Sequence, residues 1–300
     1  MKETGFAILM VLVVLISCNQ QPSIDHNAYL KELDQWHADR LSRLKDKNGW
    51  LALAGLFWLK EGSNTFGSDT SNRLVFPKDA PPFIGILELK DSTVYLQETF
   101  QPVLIDSVPA SQVKLVHDMS GKQPTRMILG RYGWNIIKRG DRFGVRLRDF
   151  ESPLLDSLKK VPIFETNEQY RVVADFKPFD VPEKQLVHTV IGTDAENTIP
   201  GVLTFRLNGK KYKLYPAAYD GEWSIVFGDQ TNGEETYDAG RFLDIIAPDE
   251  HNKVIIDFNK AYNPPCAFTP YATCQLPHRS NILPVRIEAG EKAVHLVPGH

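Results

Sequence analysis

The sequence predicts a mainly β protein, an antiparallel sandwich or partly open barrel in two β halves, behind one N-terminal helix. Three observations carry this. About a dozen short runs alternate apolar and polar residues or are rich in β-branched and aromatic ones. Turn signals separate these runs at close spacing, with Asn208-Gly209 and Gly140-Asp141 the clearest. Only one long window repeats its apolar residues at three- and four-residue steps.

That window is Asp25 to Leu44, where Tyr29, Leu30, Leu33, Trp36, Leu41 and Leu44 recur at helical spacing and Asp25 is placed to cap the first turn. "WLALAGLFWLKEG", Trp50 to Gly62, is apolar on nearly every side, so periodicity leaves helix and strand both open. Strand patterns follow in "NRLVF", "GILELKDSTVYLQE", "VKLVH", "WNIIKRGDRFGVRLRD" and "YRVVADF". "SPLLDSLKKVP" suits a short helix, and "KPFDVPEK", broken by Pro178 and Pro182, reads as a crossing loop. Beyond it lie the hairpin "GVLTFRLNGKKYKLY", whose Asn208-Gly209 demands a type I′ turn, and then "EWSIVFG", "GRFLDIIAP" and "KVIIDFN". "LPVRIEAGEKAVHL" supplies a last one or two strands. If the three strands before it form a meander, their turns gather at one edge.

The N-terminus argues for export. Lys2 precedes an apolar run from Phe6 to Ile16, the length of a signal-peptide core and too short to span a bilayer comfortably. The run ends in Leu15-Ile16-Ser17-Cys18, which resembles a bacterial lipobox, so Cys18 is expected to carry lipid and to begin the mature chain. Asn19 stands where an inner-membrane retention signal usually shows Asp. The expected location is therefore the cell envelope, anchored to the outer membrane and facing the periplasm. Residues 1–17 form the signal peptide, 18–24 a tether, 25–45 the helix, 46–177 one β-rich half and 178–300 the other.

Hydrophobic residues make up 42% and charged residues 24% of 300, an ordinary globular balance. A net charge of -3 gives no reason to expect nucleic acid as a partner. The expected partners are the membrane, through Cys18, and a small or glycan ligand. No cofactor or metal is expected.

With Cys18 lipidated, Cys266 and Cys274 remain, and an even pair in an oxidising compartment is most simply a disulfide. Two other readings compete. A Cys-Cys-His cluster can be drawn with His278, although the spacing is not that of a zinc knuckle. Cys266 as a nucleophile would need a base, and His251 and His278 are near only in sequence.

"GDQTNGEETYDAGR" holds Asp229, Glu235 and Arg241 within one turn and the strand after it, and Asp257 and Asn259 open the segment leading to the cysteines. Asp229, Glu235 and Asp257 are the candidate acids or bases of a hydrolase acting on a glycan or similar substrate. The competing reading is that acidic residues crowd exposed turns for solubility and turn geometry. Tyr237, Tyr262 and Tyr271 suit stacking on a sugar ring or a packed lid equally well. With Arg241 and Asn259 they form the candidate ligand site of a binding or structural module. Arg146 and Arg148 are two apart on a strand, so they share a face and could clamp a carboxylate or phosphate; a solvent-facing strand edge is the alternative. Asp149 points to the other face and is not their partner.

"NGWLALAGLFWLKEG", "FGVRLRD", "ETYDAGRFL", "DFNKAYNPPCAFTPYATCQLP" and "AGEK" resemble a large bacterial family catalogued only as a domain of unknown function, DUF1684. The resemblance runs from about Asn48 to Lys292 and implies no agreed activity. "LKEGSNTFGSDTSNRLVFP" is similar to the opening of a forkhead-associated domain, but the Ser-x-x-His that such domains need for phosphothreonine does not follow it.

Overall fold

The computed structural model describes residues 25–105, 107–109, 112–294 and 296. The expected signal peptide, Cys18 and the expected tether lie outside these residues. Among those described, no helix is long and apolar enough to cross a membrane.

The first helix, α1 (His26–Lys45), starts at Asp25, whose carboxylate accepts from the backbone N–H groups of Asn27 (3.0 Å) and Ala28 (3.2 Å). Arg43 and Lys45 in its last turn suit the negative end of the helix dipole. Tyr29, Leu33, Arg40 and Leu44 form its buried face.

The chain then runs through β1 (Leu53–Trp58), β2 (Gly62–Gly67), β3 (Leu74–Val75), β4 (Gly85–Lys90), β5 (Thr93–Thr99), β6 (Leu104–Ile105), β7 (Val108–Pro109), β8 (Val113–Leu115), β9 (Arg126–Leu129), β10 (Tyr132–Arg139) and β11 (Arg142–Asp149). Trp50 to Gly62, ambiguous in sequence, resolves as strand because β1 pairs with β11. Two sheets result, ordered β1-β11-β10-β9-β6-β7 and β3-β2-β4-β5-β8. They face each other across one core: Phe66, Leu87 and Leu96 from the second sheet meet Trp134, Val145 and Leu147 from the first. This is the predicted sandwich. Gly140 takes positive φ in the β10–β11 hairpin, as its turn requires.

After the short helix α2 (Leu154–Ser157) come β12 (Arg171–His188), β13 (Asp194–Leu207), β14 (Lys210–Leu214), β15 (Ala217–Tyr219), β16 (Glu222–Phe227), β17 (Arg241–Ile245) and β18 (Lys253–Asp257). They make the sheets β14-β13-β12-β18 and β15-β16-β17 around a second core that includes Phe205, Phe227, Leu243 and Phe258. Asn208 and Gly209 both take positive φ, as a type I′ turn demands.

Three expectations are corrected here. The "KPFDVPEK" segment is no crossing loop, because β12 continues through it. Pairing with β13 jumps from Pro178↔Gly201 to Glu183↔Ile199, so Pro182 and Pro200 sit in a bulge where no ladder N–H is needed. The first core draws on residues 59–147 and the second on residues 170–289, and β12 spans positions 177 and 178. The meander stops early: β16 pairs with β17, but β18 joins β12. Finally, the described residues of "LPVRIEAGEKAVHL" form no regular strand. Leu283, Ile287 and Ala289 plug the second core in irregular backbone, and one bridge joins Ile163 to Glu291.

Candidate anion-binding site

The three candidate carboxylates are each engaged by a different partner. Asp229 Oδ2 meets Arg241 Nη2 at 2.7 Å, and neither side chain is exposed. Its Oδ1 accepts from the Thr231 N–H (2.8 Å), the Thr231 hydroxyl (2.7 Å) and the Ile287 N–H (3.2 Å). Arg241 donates onward to the carbonyls of Ile287 (2.8 Å) and Ala289. Burial pulls its pKa down even beside Asp229. This is an internal clamp closed to solvent, fastening the irregular C-terminal plug to the second core.

Asp257 accepts from the Tyr29 hydroxyl at 2.9 and 3.0 Å and from the Asn259 N–H at 3.1 Å. Asn259 Nδ2 donates to the Tyr29 oxygen (2.9 Å) and the Asn167 carbonyl (3.0 Å). Burial, and then Asp257, push the Tyr29 phenol far above its ordinary range. Asp257 and Asn259 therefore dock the start of α1. Glu235 pairs with Arg286, which also holds Glu234 (2.8 Å) and Glu288 (3.0 Å) at the surface.

The aromatic candidates pack. Tyr262 donates to Asp244 (3.0 Å) and lies beneath Arg40, 4.6 Å from guanidinium to ring. Arg40 in turn meets the fully buried Glu291 at 3.2 Å, and burial raises the Glu291 pKa. Tyr237, its phenol also raised by burial, packs against Cys266, Ala272 and Cys274, and Tyr271 sits half-buried in the same loop. Cys266 and Cys274 form a disulfide with Cα atoms 6.2 Å apart, which removes the free nucleophile and the metal-cluster readings. His278 instead contacts Ser280 (2.8 Å) and Gln185 (3.0 Å). Arg241, Asn259 and Tyr262 thus serve internal networks rather than one open site among the described residues.

Arg146 and Arg148 are placed differently. They are not on a solvent-facing edge, because β11 is hydrogen-bonded on both sides, to β1 and to β10. Opposite Arg146 lies Asn135, opposite Asn135 lies Arg126, and opposite Arg148 lies Gly133. Cross-strand partners share a face. Arg126, Asn135, Arg146 and Arg148 therefore project from one side of the sheet, while Met127, Trp134, Val145 and Leu147 fill the core on the other. Gly133 leaves room for the Phe150 ring, since a Cβ there would stand 2.3 Å from it. The result is a cleft of about 210 Å³ whose walls include Asn48, Asp118, Pro124 and Phe150.

These arginines are held by neutral oxygens. Arg148 donates to the Asn48 carbonyl (3.1 Å) and to Asn135 Oδ1 (2.9 Å). Arg146 donates to the Thr273 hydroxyl (3.2 Å), lies over the Trp50 ring (5.5 Å) and is only 6% exposed. Its Nε–H has no acceptor. Among the described residues neither arginine has a carboxylate partner; Asp118, in the cleft wall, is paired with Arg139 at 2.9 Å. Asp149, as the strand alternation requires, is engaged elsewhere, with Arg131 at 2.5 Å. Burial, then Arg139, lower the Arg146 pKa to about 10, which leaves it charged at neutral pH. Burial, then Arg126, lower that of Arg148.

Sequence reasoning missed Arg126, Asn135, Asn48, Trp50 and Thr273. Strand alternation places Asn135 on one face of "GWNIIKR", but only the register sets it opposite Arg146. Nothing local signals Thr273, which reaches Arg146 and Arg139 across 127 and 134 residues.

Residues 156–292 match the model of a family described as "Protein of unknown function (DUF1684)", the family the sequence motifs resemble. The cleft strands β9, β10 and β11 lie before that segment, and Thr273 lies within it. A search of the curated proteins finds no match. Among solved structures, the chain is similar to an uncharacterized protein of Haloarcula marismortui determined by solution NMR, with 26% identity over 46% of this chain and 78% of that one. The TM-score is 0.39, so the likeness carries no argument about the site.

Proposed function

We propose that this chain, whose residues 156–292 match a family of unknown function, is a cell-envelope lipoprotein whose body binds a small anion between Arg126, Arg146 and Arg148. One observation carries the binding reading: Arg146 is buried and charged, with no carboxylate partner among the described residues and an Nε–H that lacks an acceptor. An uncompensated buried charge costs several kcal/mol. Arginines held in place by neutral oxygens keep their positive charge for a ligand, and a guanidinium is shaped to grip an oxyanion with two donors. Asp229, Glu235 and Asp257 are each engaged by a partner of their own, which weighs against the envelope-hydrolase alternative.

Sulfate titrated into the protein should raise its melting temperature, and Arg148→Gln should weaken that binding about tenfold or more, the worth of a hydrogen bond to a charged group. Arg146→Met removes the buried charge while keeping the length of the side chain. It should abolish binding and leave stability unchanged or higher. A loss of several kcal/mol in Arg146→Met instead would make Arg146 a structural residue and end this reading.

The anchoring half of the proposal rests on the order of apolar run, Ser17 and Cys18 in the sequence. Several acyl chains on Cys18 would hold the protein firmly to a bilayer where one would not. Cys18→Ala should shift the protein from the membrane fraction to the soluble fraction, with loss of incorporated radiolabelled palmitate. Unchanged partition and labelling would refute the anchor.

A further inference from the structure

The arginine-lined cleft also constrains the charge of its ligand, on the premise that it binds an anion at all. Strand alternation puts Arg139 and Arg142 on the same sheet face as Arg126, Arg146 and Arg148, giving five guanidiniums on one face. Arg139 is satisfied by Asp118 (2.9 Å) and the Thr273 hydroxyl (2.8 Å). Arg142 rests on the Trp58 ring at 3.9 Å. Lys138 turns to the other face, over Phe143.

The three arginines lining the cleft are met only by neutral groups: Arg126 by Asn48 Oδ1 (3.4 Å), Arg148 by Asn48 and Asn135, Arg146 by Thr273 and Trp50. Asp118 is the one carboxylate in the wall, and Arg139 already neutralises it. Three like charges packed along neighbouring strands repel one another, and a single negative charge leaves two of them unbalanced. A cleft of about 210 Å³ is also smaller than the roughly 300–1,000 Å³ of sites for drug-sized ligands, so the ligand is a compact head group with few further atoms.

From this charge count and size we infer that the site selects a small dianion, with its oxygens gathered on one head group as in a phosphomonoester or a short dicarboxylate, over a monoanion of the same shape. Sulfate and methyl sulfate differ in that single charge, and methyl phosphate gains its second charge with a pKa of about 6.

The test is calorimetric titration of the full-length protein in detergent with sulfate, methyl sulfate, methyl phosphate and malonate, at about pH 5 and pH 7. Sulfate should bind at least tenfold more tightly than methyl sulfate, the 1.4 kcal/mol equivalent of one discriminating contact. Methyl phosphate should weaken about tenfold from pH 7 to pH 5, as its dianion fraction falls. Sulfate, dianionic throughout, should not weaken, and so controls for titration of the protein, including His117 beside Asp118. Arg126→Gln, an exposed substitution that spares the fold, should cost sulfate about tenfold. Malonate as tight as sulfate extends the class to dicarboxylates; malonate much weaker confines it to tetrahedral head groups. If methyl sulfate binds within threefold of sulfate, or Arg126→Gln changes nothing, the dianion inference is wrong while anion binding stands. If none of the four binds, both fall.

Discussion

Asp229→Ala should destabilise the protein by about 3–5 kcal/mol, the range for removing one partner of a buried ion pair. The expected loss is large because Arg241 cannot escape. Its side chain is fully buried, its two terminal nitrogens hold the carbonyls of Ala289 and Ile287, and its ring-side neighbour Phe227 offers only a cation–π contact at 5.3 Å. Removing Asp229 also leaves the buried N–H groups of Thr231 and Ile287 without their acceptor, while the Thr231 hydroxyl keeps only Thr236 (2.8 Å). The irregular segment from Leu283 to Ala289 would then lose the clamp that seats it on the second core. Urea denaturation followed by circular dichroism measures the effect. A loss under about 1 kcal/mol, the level of a surface pair, would show that the clamp is not structural and would return Asp229 to consideration as a general acid or base.

The same residues show how far the sequence could be read. The capping of α1 by Asp25, the type I′ turn at Asn208-Gly209 and the Gly140 hairpin were legible because each depends on a few adjacent residues. The shared face of Arg146 and Arg148 was legible for the same reason, since strand alternation is local. What surrounds that face was not. Asn135 and Arg126 meet Arg146 only through register, and Thr273 only through a loop that crosses from the other half. Asp229, Arg241, Asp257 and Asn259 cluster in the sequence in a way that suits chemistry. Their partners, Ile287, Ala289 and Tyr29, are distant in the chain and turn the cluster into internal clamps. The prolines of "KPFDVPEK" misled in the opposite sense. They break a helix or a regular ladder, but a long hairpin keeps Pro178 paired with Gly201 and absorbs Pro182 in the bulge that follows.

The Cys266–Cys274 loop links these two lessons, and breaking it should have two separable consequences. Cys266→Ser with Cys274→Ser should cost roughly 2.5 kcal/mol from the chain-entropy gain of the unfolded state alone. It should also weaken sulfate binding, although neither cysteine lines the cleft. Thr273 precedes Cys274, and its hydroxyl accepts from Arg146 Nη2 (3.2 Å) and Arg139 Nε (2.8 Å). Trp50, on which Arg146 rests, packs against Cys266, Ala272 and Cys274. Both of these contacts of Arg146 therefore depend on where the stapled loop lies, and a loosened loop lets the guanidinium lose its fixed orientation before the anion arrives. Thr273→Val separates the two effects. It keeps the staple and the side-chain shape and removes only the hydroxyl, so stability should change by about 1 kcal/mol while sulfate affinity falls about fivefold. Calorimetric titration of the three proteins decides it. Full sulfate affinity in both variants would mean that the loop braces the fold and leaves the cleft alone; a shared loss would make the disulfide the part of the C-terminal half that holds Arg146 ready for its ligand.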